Sequence, residues 1–107
     1  MSLHIEWTRI ALQSLSDVLE YTYEYFGTEQ VTKLHHKISS TAQMLSTFPY
    51  AGKVEDEYSE FLGVEYRSMV VIHEIKLFYT ITDETLFVEF VKDTRQDDST
   101  VIRQISD

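Results

Sequence analysis

The residues most able to do chemistry in this sequence are three cations in its C-terminal half. Arg67, Lys76 and Arg95 lie in or just after successive predicted strands. Strand positions of this kind can converge toward one face or one end of a small sheet, and neighbouring cations are costly unless an anion neutralises them. The pattern therefore indicates a phosphate or carboxylate site, unless the cations simply pair with nearby acids, namely Glu65, Glu74, Glu89 or Asp93.

Other reactive side chains lack the spacing of a known site. His35 and His36 are adjacent and would point about 100° apart on a helix, so they are poorly placed to ligate one metal ion together. The sequence has no Gly-x-Ser-x-Gly nucleophile motif and no glycine-rich phosphate loop. An acidic cluster lacks the glycine and the alternating acids of a calcium loop; it comprises Glu55, Asp56, Glu57 and Glu60. We therefore expect no metal and no cofactor.

Three tyrosines in the first predicted helix allow two interpretations. Tyr21 and Tyr25 share one side of the helix, whereas Tyr23 lies on another. Such rings can form a platform on which nucleic-acid bases stack. We favour the second interpretation, in which the tyrosines cover the edge of a small core.

The composition limits the class of protein. A chain of 107 residues fits one domain, which we place at 1–107, with a core over about 3–97 and a polar tail at 98–107 that has the spacing of a short helix. The absence of cysteine excludes a disulfide scaffold, a thiolate zinc site and a cysteine nucleophile.

The charge balance and hydropathy bear on partners and location. Nine basic and eighteen acidic residues give a net charge of −9, which disfavours direct DNA binding because such binding depends on neutralising phosphates. No apolar run approaches the length of a membrane span, and the N-terminus does not resemble a signal peptide. We therefore expect a cytoplasmic protein without a membrane partner.

Apolar periodicity predicts two helices in the first half of the chain. Residues 8–26 and 29–47 each carry apolar side chains at steps of three and four, which is one helix face. Gly27 is a stop signal, Thr28 can cap the second helix, and Pro49 ends it. The short connection predicts an antiparallel helical hairpin.

After Pro49 the period changes from helix to strand. The sequence predicts an acidic loop at 55–57 and then β-branched and aromatic strand residues from Leu62 onward. A turn at 83–85 separates the last two strands, and a short strand at 3–7 precedes the first helix. The predicted class is α+β in the order β-α-α-β-β-β, with the helical hairpin packed on a small, largely antiparallel sheet.

These motifs together resemble the RelE/ParE family of toxins from type II toxin–antitoxin (plasmid stabilisation) systems. The resemblance covers about residues 3–97 and rests on an ordered set of motifs rather than on one of them. The matching runs are Ile5-x-Trp7-x3-Ala11-x3-Leu15, Leu45-x2-Phe48-Pro49-x2-Gly52-Lys53, Tyr66-Arg67, Lys76-Leu77-Phe78-Tyr79-x-Ile81 and Val88-x-Phe90-Val91-x3-Arg95-Gln96.

The resemblance implies a small toxin that a cognate antitoxin neutralises by wrapping around it. The RelE-like branch looks like ribosome-dependent mRNA endonucleases, which use general acid–base chemistry and cations at the scissile phosphate. The ParE-like branch resembles inhibitors of DNA gyrase. In this chain Arg67, Lys76 and Glu55 match nuclease positions, but Thr94 and Arg95 stand where those nucleases place His-Tyr.

We therefore interpret the chain as a ParE-like toxin that acts by protein–protein inhibition and has no catalytic residues. The alternatives are a RelE-like endoribonuclease with an altered site, using Arg67, Lys76, Arg95 and Glu55, and a non-toxic interaction module. The expected partners are an antitoxin and a target protein such as gyrase, and a homodimer is a further expectation. The acidic surface favours an antitoxin segment rich in lysine and arginine.

Overall fold

The computed structural model describes residues 2–94, which form a five-stranded sheet with three helices. The predicted tail at 98–107 and Arg95 lie outside the described residues. The elements in chain order are β1 (His4–Trp7), α1 (Arg9–Phe26), α2 (Thr28–Thr47), β2 (Lys53–Val54), α3 (Asp56–Leu62), β3 (Arg67–Ile72), β4 (Ile75–Thr82) and β5 (Thr85–Asp93).

The sheet has the strand order β1-β5-β4-β3-β2. β1 is parallel to β5, and the other pairs are antiparallel. The last three strands form the predicted meander, whose final turn is the two-residue loop Asp83-Glu84 between the paired residues Thr82 and Thr85. The predicted α+β class and the helical hairpin are confirmed.

The helical hairpin begins with a side-chain cap and reverses at a glycine. Thr8 precedes α1, and its hydroxyl accepts a hydrogen bond from the amide of Ala11 at 3.0 Å. Gly27 lies between the helices with φ of 85°, a value that favours glycine. The expectation that Thr28 caps α2 is wrong, because the reversal at Gly27 lets the helix begin one residue earlier, at Thr28 itself.

One face of the sheet, here called the helix face, packs against α1 and α2. The residues buried there are mostly aliphatic, and the strands contribute them at alternating positions. This main core contains Ala11, Val18, Leu34, Ile38, Ala42, Leu45, Val71, Leu77, Tyr79, Leu86, Val88 and Val91. Its burial accounts for the periodicity of both predicted helices.

The opposite face, here called the α3 face, carries a separate aromatic cluster. Phe78 and Phe90 stack with ring centroids 4.4 Å apart, and Tyr58 of α3 lies 5.0 Å from Phe78. Tyr66 completes the cluster. The short helix α3 thus covers part of a face that would otherwise expose large rings to water.

The prediction of an acidic loop at 55–57 is wrong, because α3 begins at Asp56. Asp56 and Glu57 occupy its first turn, where the negative charge of a carboxylate interacts favourably with the helix dipole. Gly63 ends it with φ of 77°. The helix was missed because two turns are too short for a clear apolar period.

The third strand begins later than predicted. The segment after Leu62 is not yet strand, and β3 starts at Arg67. The backbone of Tyr66 is engaged elsewhere: its carbonyl accepts from the amide of Glu55 at 2.8 Å, and its amide donates to the hydroxyl of Ser59 at 2.8 Å. These bonds hold the chain against α3 rather than against β4.

Candidate functional site

Glu55 is the centre of the polar cluster on the α3 face. It lies between β2 and α3, and its Oε2 accepts a hydrogen bond from the hydroxyl of Ser68 on β3. Lys76 on β4 places Nζ 3.4 Å from the same oxygen, and Lys53 places Nζ at 3.9 Å. The carboxylate is largely buried, and the half-buried Lys76 is its nearer cation, whereas the side chain of Lys53 is mostly exposed. The negative charge of Glu55 is therefore compensated within the cluster.

Arg67 does not join this cluster, although Ser68 beside it does. Successive strand residues point to opposite faces, so Arg67 lies toward the helix face. Its Nη1 donates to the carbonyl of Gly52 at 2.8 Å, and its Nε contacts Glu65 at 3.0 Å. The guanidinium carbon lies 5.0 Å from the ring centre of Tyr50.

The predicted convergence of the three cations is therefore wrong for Arg67 and Lys76, because strand alternation separates them. Their pairing with acids is confirmed for Arg67 with Glu65, whereas Lys76 pairs with Glu55, which the sequence had not linked to it. Ser68 was also missed, since an isolated serine in a strand gives no signal. Arg95 lies outside the described residues.

The ionisable groups nearest the cluster are poor proton donors. Burial and the nearby carboxylates of Glu55 and Glu57 raise the pKa of Tyr58 to about 12. Burial and the carboxylate of Glu89 raise the pKa of Tyr66 to about 12. Efficient acid catalysis needs a pKa near the operating pH, so neither phenol is suited to protonate a leaving group.

Glu89 occupies an irregular position on β5. Phe90 pairs with Phe78 and Val88 pairs with Tyr79, so Glu89 between them has no counterpart on β4. Its Oε2 accepts a hydrogen bond from the hydroxyl of Thr80 at 2.7 Å. Burial raises the pKa of Glu89, and that hydrogen bond partly offsets the effect.

Tyr79 has a structural role beneath the turn that follows α2. Its hydroxyl donates to the carbonyl of Pro49 at 2.6 Å and accepts from the amide of Gly52 at 3.0 Å. A β-carbon at Gly52 would lie 2.8 Å from the carbonyl oxygen of Ser68 and would also collide with the Tyr79 ring. The turn therefore requires glycine at this position.

The end of the helical hairpin exposes a group of aromatic side chains, here called the hairpin tip and comprising Tyr21, Tyr23, Tyr25 and Phe26. The rings of Tyr21 and Tyr25 lie 4.6 Å apart. Tyr23 and Phe26 are 60% and 65% exposed. All three tyrosines are exposed, Tyr25 at 66%, so the interpretation that they cover the core edge is wrong. The tip is an aromatic surface open to a partner.

Neither a metal site nor a membrane helix is found in the described part of the chain. Residues 2–94 hold no group of three or more His, Cys, Asp or Glu side chains that could ligate a metal ion. Within the same residues, no helix is both long enough and apolar enough to cross a membrane.

Comparisons with known proteins agree with this architecture. No curated protein sequence matches the chain. Among solved structures, the chromosomal ParDE TA system from P. aeruginosa contains a chain that superposes with a TM-score of 0.68 at 17% identity, covering 86% of this chain and 96% of that one. At this identity the likeness demonstrates the fold.

A family model settles the classification. The model described as the ParE toxin of the type II toxin–antitoxin system parDE matches residues 5–98 of the 107. The match includes all three helices and all five strands, apart from His4 at the start of β1. The chain belongs to the ParE toxin family of type II toxin–antitoxin systems.

Proposed function

We propose that this toxin acts in the cytoplasm by binding and inhibiting a protein target of the DNA gyrase type, without a chemical step of its own. A cognate antitoxin, the partner expected for this family, would neutralise it. The observation that carries the proposal is the separation of Arg67 from the Glu55–Lys76 pair on opposite faces of the sheet. The residues that match nuclease positions are thereby divided between two sites.

Cleavage of RNA at a 2′-hydroxyl requires a base, an acid for the leaving oxygen and a cation for the phosphate. Glu55 is the candidate base, but its carboxylate is engaged by Ser68 and Lys76. Tyr58 and Tyr66 hold their protons too tightly to serve as the acid. This arrangement supports a structural role for the cluster.

The hairpin tip supplies a surface suited to protein binding. Tyrosine and phenylalanine are enriched where proteins contact one another, because large rings bury much apolar area with few rotatable bonds. Exposed Glu20 and Glu24 lie on the same helical turns as the tip. A partner that places arginine or lysine beside the rings would satisfy both the aromatic and the acidic groups.

The proposal is tested by supercoiling assays with purified bacterial DNA gyrase. We expect the wild-type chain to inhibit supercoiling, and Phe26→Ala combined with Tyr23→Ala to weaken inhibition at least tenfold. Phe61→Ala is the matched control, because Phe61 in α3 is 62% exposed but distant in sequence from the tip. Unchanged gyrase activity at saturating toxin would reject the gyrase-type target.

A homodimer in the absence of antitoxin is a further part of the proposal. The exposed rings of the tip are the kind of surface that self-associates when no partner covers them. Sedimentation equilibrium of the free chain should show reversible dimers, and the double variant Tyr23→Ala, Phe26→Ala should weaken them. A wild-type chain that stays monomeric at high concentration would reject this part alone.

A further inference from the structure

Within residues 2–94, the edge of β4 has a gap that no strand covers. Pairing of β3 with β4 ends at Arg67 and Tyr79, whereas β4 continues to Thr82 in partnership with β5. Across the gap the chain of Tyr66 is bonded to Glu55 and Ser59 instead. A notch of about 450 Å³ remains there, lined by Tyr50, Val64, Arg67, Ile81, Phe87 and Glu89 among others.

The backbone amide and carbonyl of Ile81 on β4 face this notch. Thr82 and Thr85 flank a two-residue turn and so form a hydrogen-bonded pair, which makes Ile81 and Leu86 a non-hydrogen-bonded pair. The amide and carbonyl of Ile81 therefore point away from β5, toward the absent strand. No turn or loop backbone of residues 2–94 bonds to them.

The corresponding gap at the other side of the meander is closed. β1 pairs with β5 only as far as Val88, yet the following β5 backbone is satisfied by the start of α1. The hydroxyl of Thr8 donates to the carbonyl of Glu89 at 3.2 Å, and the amide of Val91 donates to the hydroxyl of Ser14 at 2.9 Å. Residues 2–94 thus cover one bare edge with their own side chains and leave the other uncovered.

The charges around the notch indicate what would fill it. Arg67 is paired with Glu65, whereas no cation of residues 2–94 lies within ion-pair distance of the Glu89 carboxylate. A carboxylate in a partly buried position is costly unless a cation approaches it. Tyr50 and Val64, 69% and 53% exposed, add an apolar rim. The notch therefore suits an extended chain that carries both apolar and basic side chains.

We propose that the notch binds an extended segment of the antitoxin, which adds as a short strand to β4 at Ile81 and presents a lysine or arginine to Glu89. Ile81 packs toward the helix face and Thr80, bonded to Glu89, toward the α3 face. Because side chains alternate along a strand, the segment would place an apolar residue opposite Ile81 and the basic residue next to it. The inference rests on the proposed antitoxin partnership.

Amide hydrogen exchange of the full chain, alone and with its cognate antitoxin, tests the backbone part. The Ile81 amide should exchange faster than that of Tyr79 in the free chain and slow at least tenfold in the complex. An antitoxin that binds tightly but leaves Ile81 unprotected would overturn the notch while the proposed function stands. Protection that appears without antitoxin as toxin concentration rises would assign the notch to a second copy and overturn the proposal.

Two substitutions test the chemistry. Ile81→Pro removes the outward amide, at a position where proline is tolerated in strands, and also replaces a side chain that packs against the main core. Ile81→Ala is the control, because it loses the side chain but keeps the amide. The proline variant should bind antitoxin about tenfold more weakly than the alanine variant. Glu89→Gln keeps the bond to Thr80 without the charge and should weaken binding about tenfold, measured by titration calorimetry. Unchanged affinity in the Glu89 variant would remove the basic residue from the proposal, and no antitoxin binding to wild type would overturn both this inference and the proposed function.

Discussion

The two faces of the sheet are built from the same strands but differ in kind. The helix face buries a continuous aliphatic core beneath two long helices, whereas the α3 face holds four aromatic rings beside the Glu55 cluster under one short helix. Adjacent residues such as Arg67 and Ser68 belong to different environments as a result. Two adjacent residues of a strand therefore place their functional groups on opposite faces of the sheet, in separate sites.

The largest loss of stability should come from a substitution that opens a cavity on the helix face. Leu77 is fully buried in the main core. We expect Leu77→Ala to lower the free energy of unfolding by about 3 kcal/mol, measured by urea denaturation. Val70→Ala is the control on the other face, where Val70 is 54% exposed, and should cost less than about 0.5 kcal/mol. Equal losses in the two variants would contradict the difference between the faces.

The turn below Tyr79 should be nearly as sensitive. Gly52→Ala introduces a methyl group 2.8 Å from the carbonyl oxygen of Ser68, and we expect it to cost about 2 kcal/mol of stability. Gly63→Ala meets open space and carries only the strain of a φ of 77°, so it should cost about 1 kcal/mol. A larger loss at Gly63 than at Gly52 would reject the steric argument.

The Glu55 cluster should contribute to stability and not to toxicity. Glu55→Gln removes the carboxylate that faces Lys76 and should cost about 1 kcal/mol, because the lysine then lacks its partner. Growth arrest on induction should remain, since the proposed mechanism has no chemical step. Loss of toxicity in a variant that stays folded by circular dichroism would indicate that Glu55 acts on a substrate.

The smallest effect concerns pH. Burial raises the pKa of Glu89 in the folded state above its value in the unfolded chain. Between those two pKa values the folded state binds more protons, so this residue makes stability fall as pH rises. Thermal unfolding of Glu89→Gln should show a weaker fall over the acidic range than wild type. Identical pH profiles would show that Glu89 is well solvated.

Helices long enough to show a repeating apolar pattern, and turns marked by polar residues, were predictable from the sequence. Elements and contacts that depend on residues distant in sequence were not. Apolar spacing predicted helices at 8–26 and 29–47, and they are observed at 9–26 and 28–47. Polar turn residues predicted a turn at 83–85, and the observed turn is one residue shorter, at 83–84. The helix α3 is too short for that signal. Lys76 and Glu55 were recognised singly, but their pairing depends on α3 bringing Glu55 over β4.

The most direct test of the central claim uses ribosomes. Purified wild-type chain and Lys76→Ala are added to a bacterial translation extract, and messenger RNA is mapped for cleavage by primer extension. We expect intact messenger RNA with both proteins, and equal inhibition of gyrase by both. Cleavage at codon-defined positions by wild type, abolished in a Lys76→Ala protein that remains folded, would contradict inhibition without a chemical step and identify the chain as an endoribonuclease.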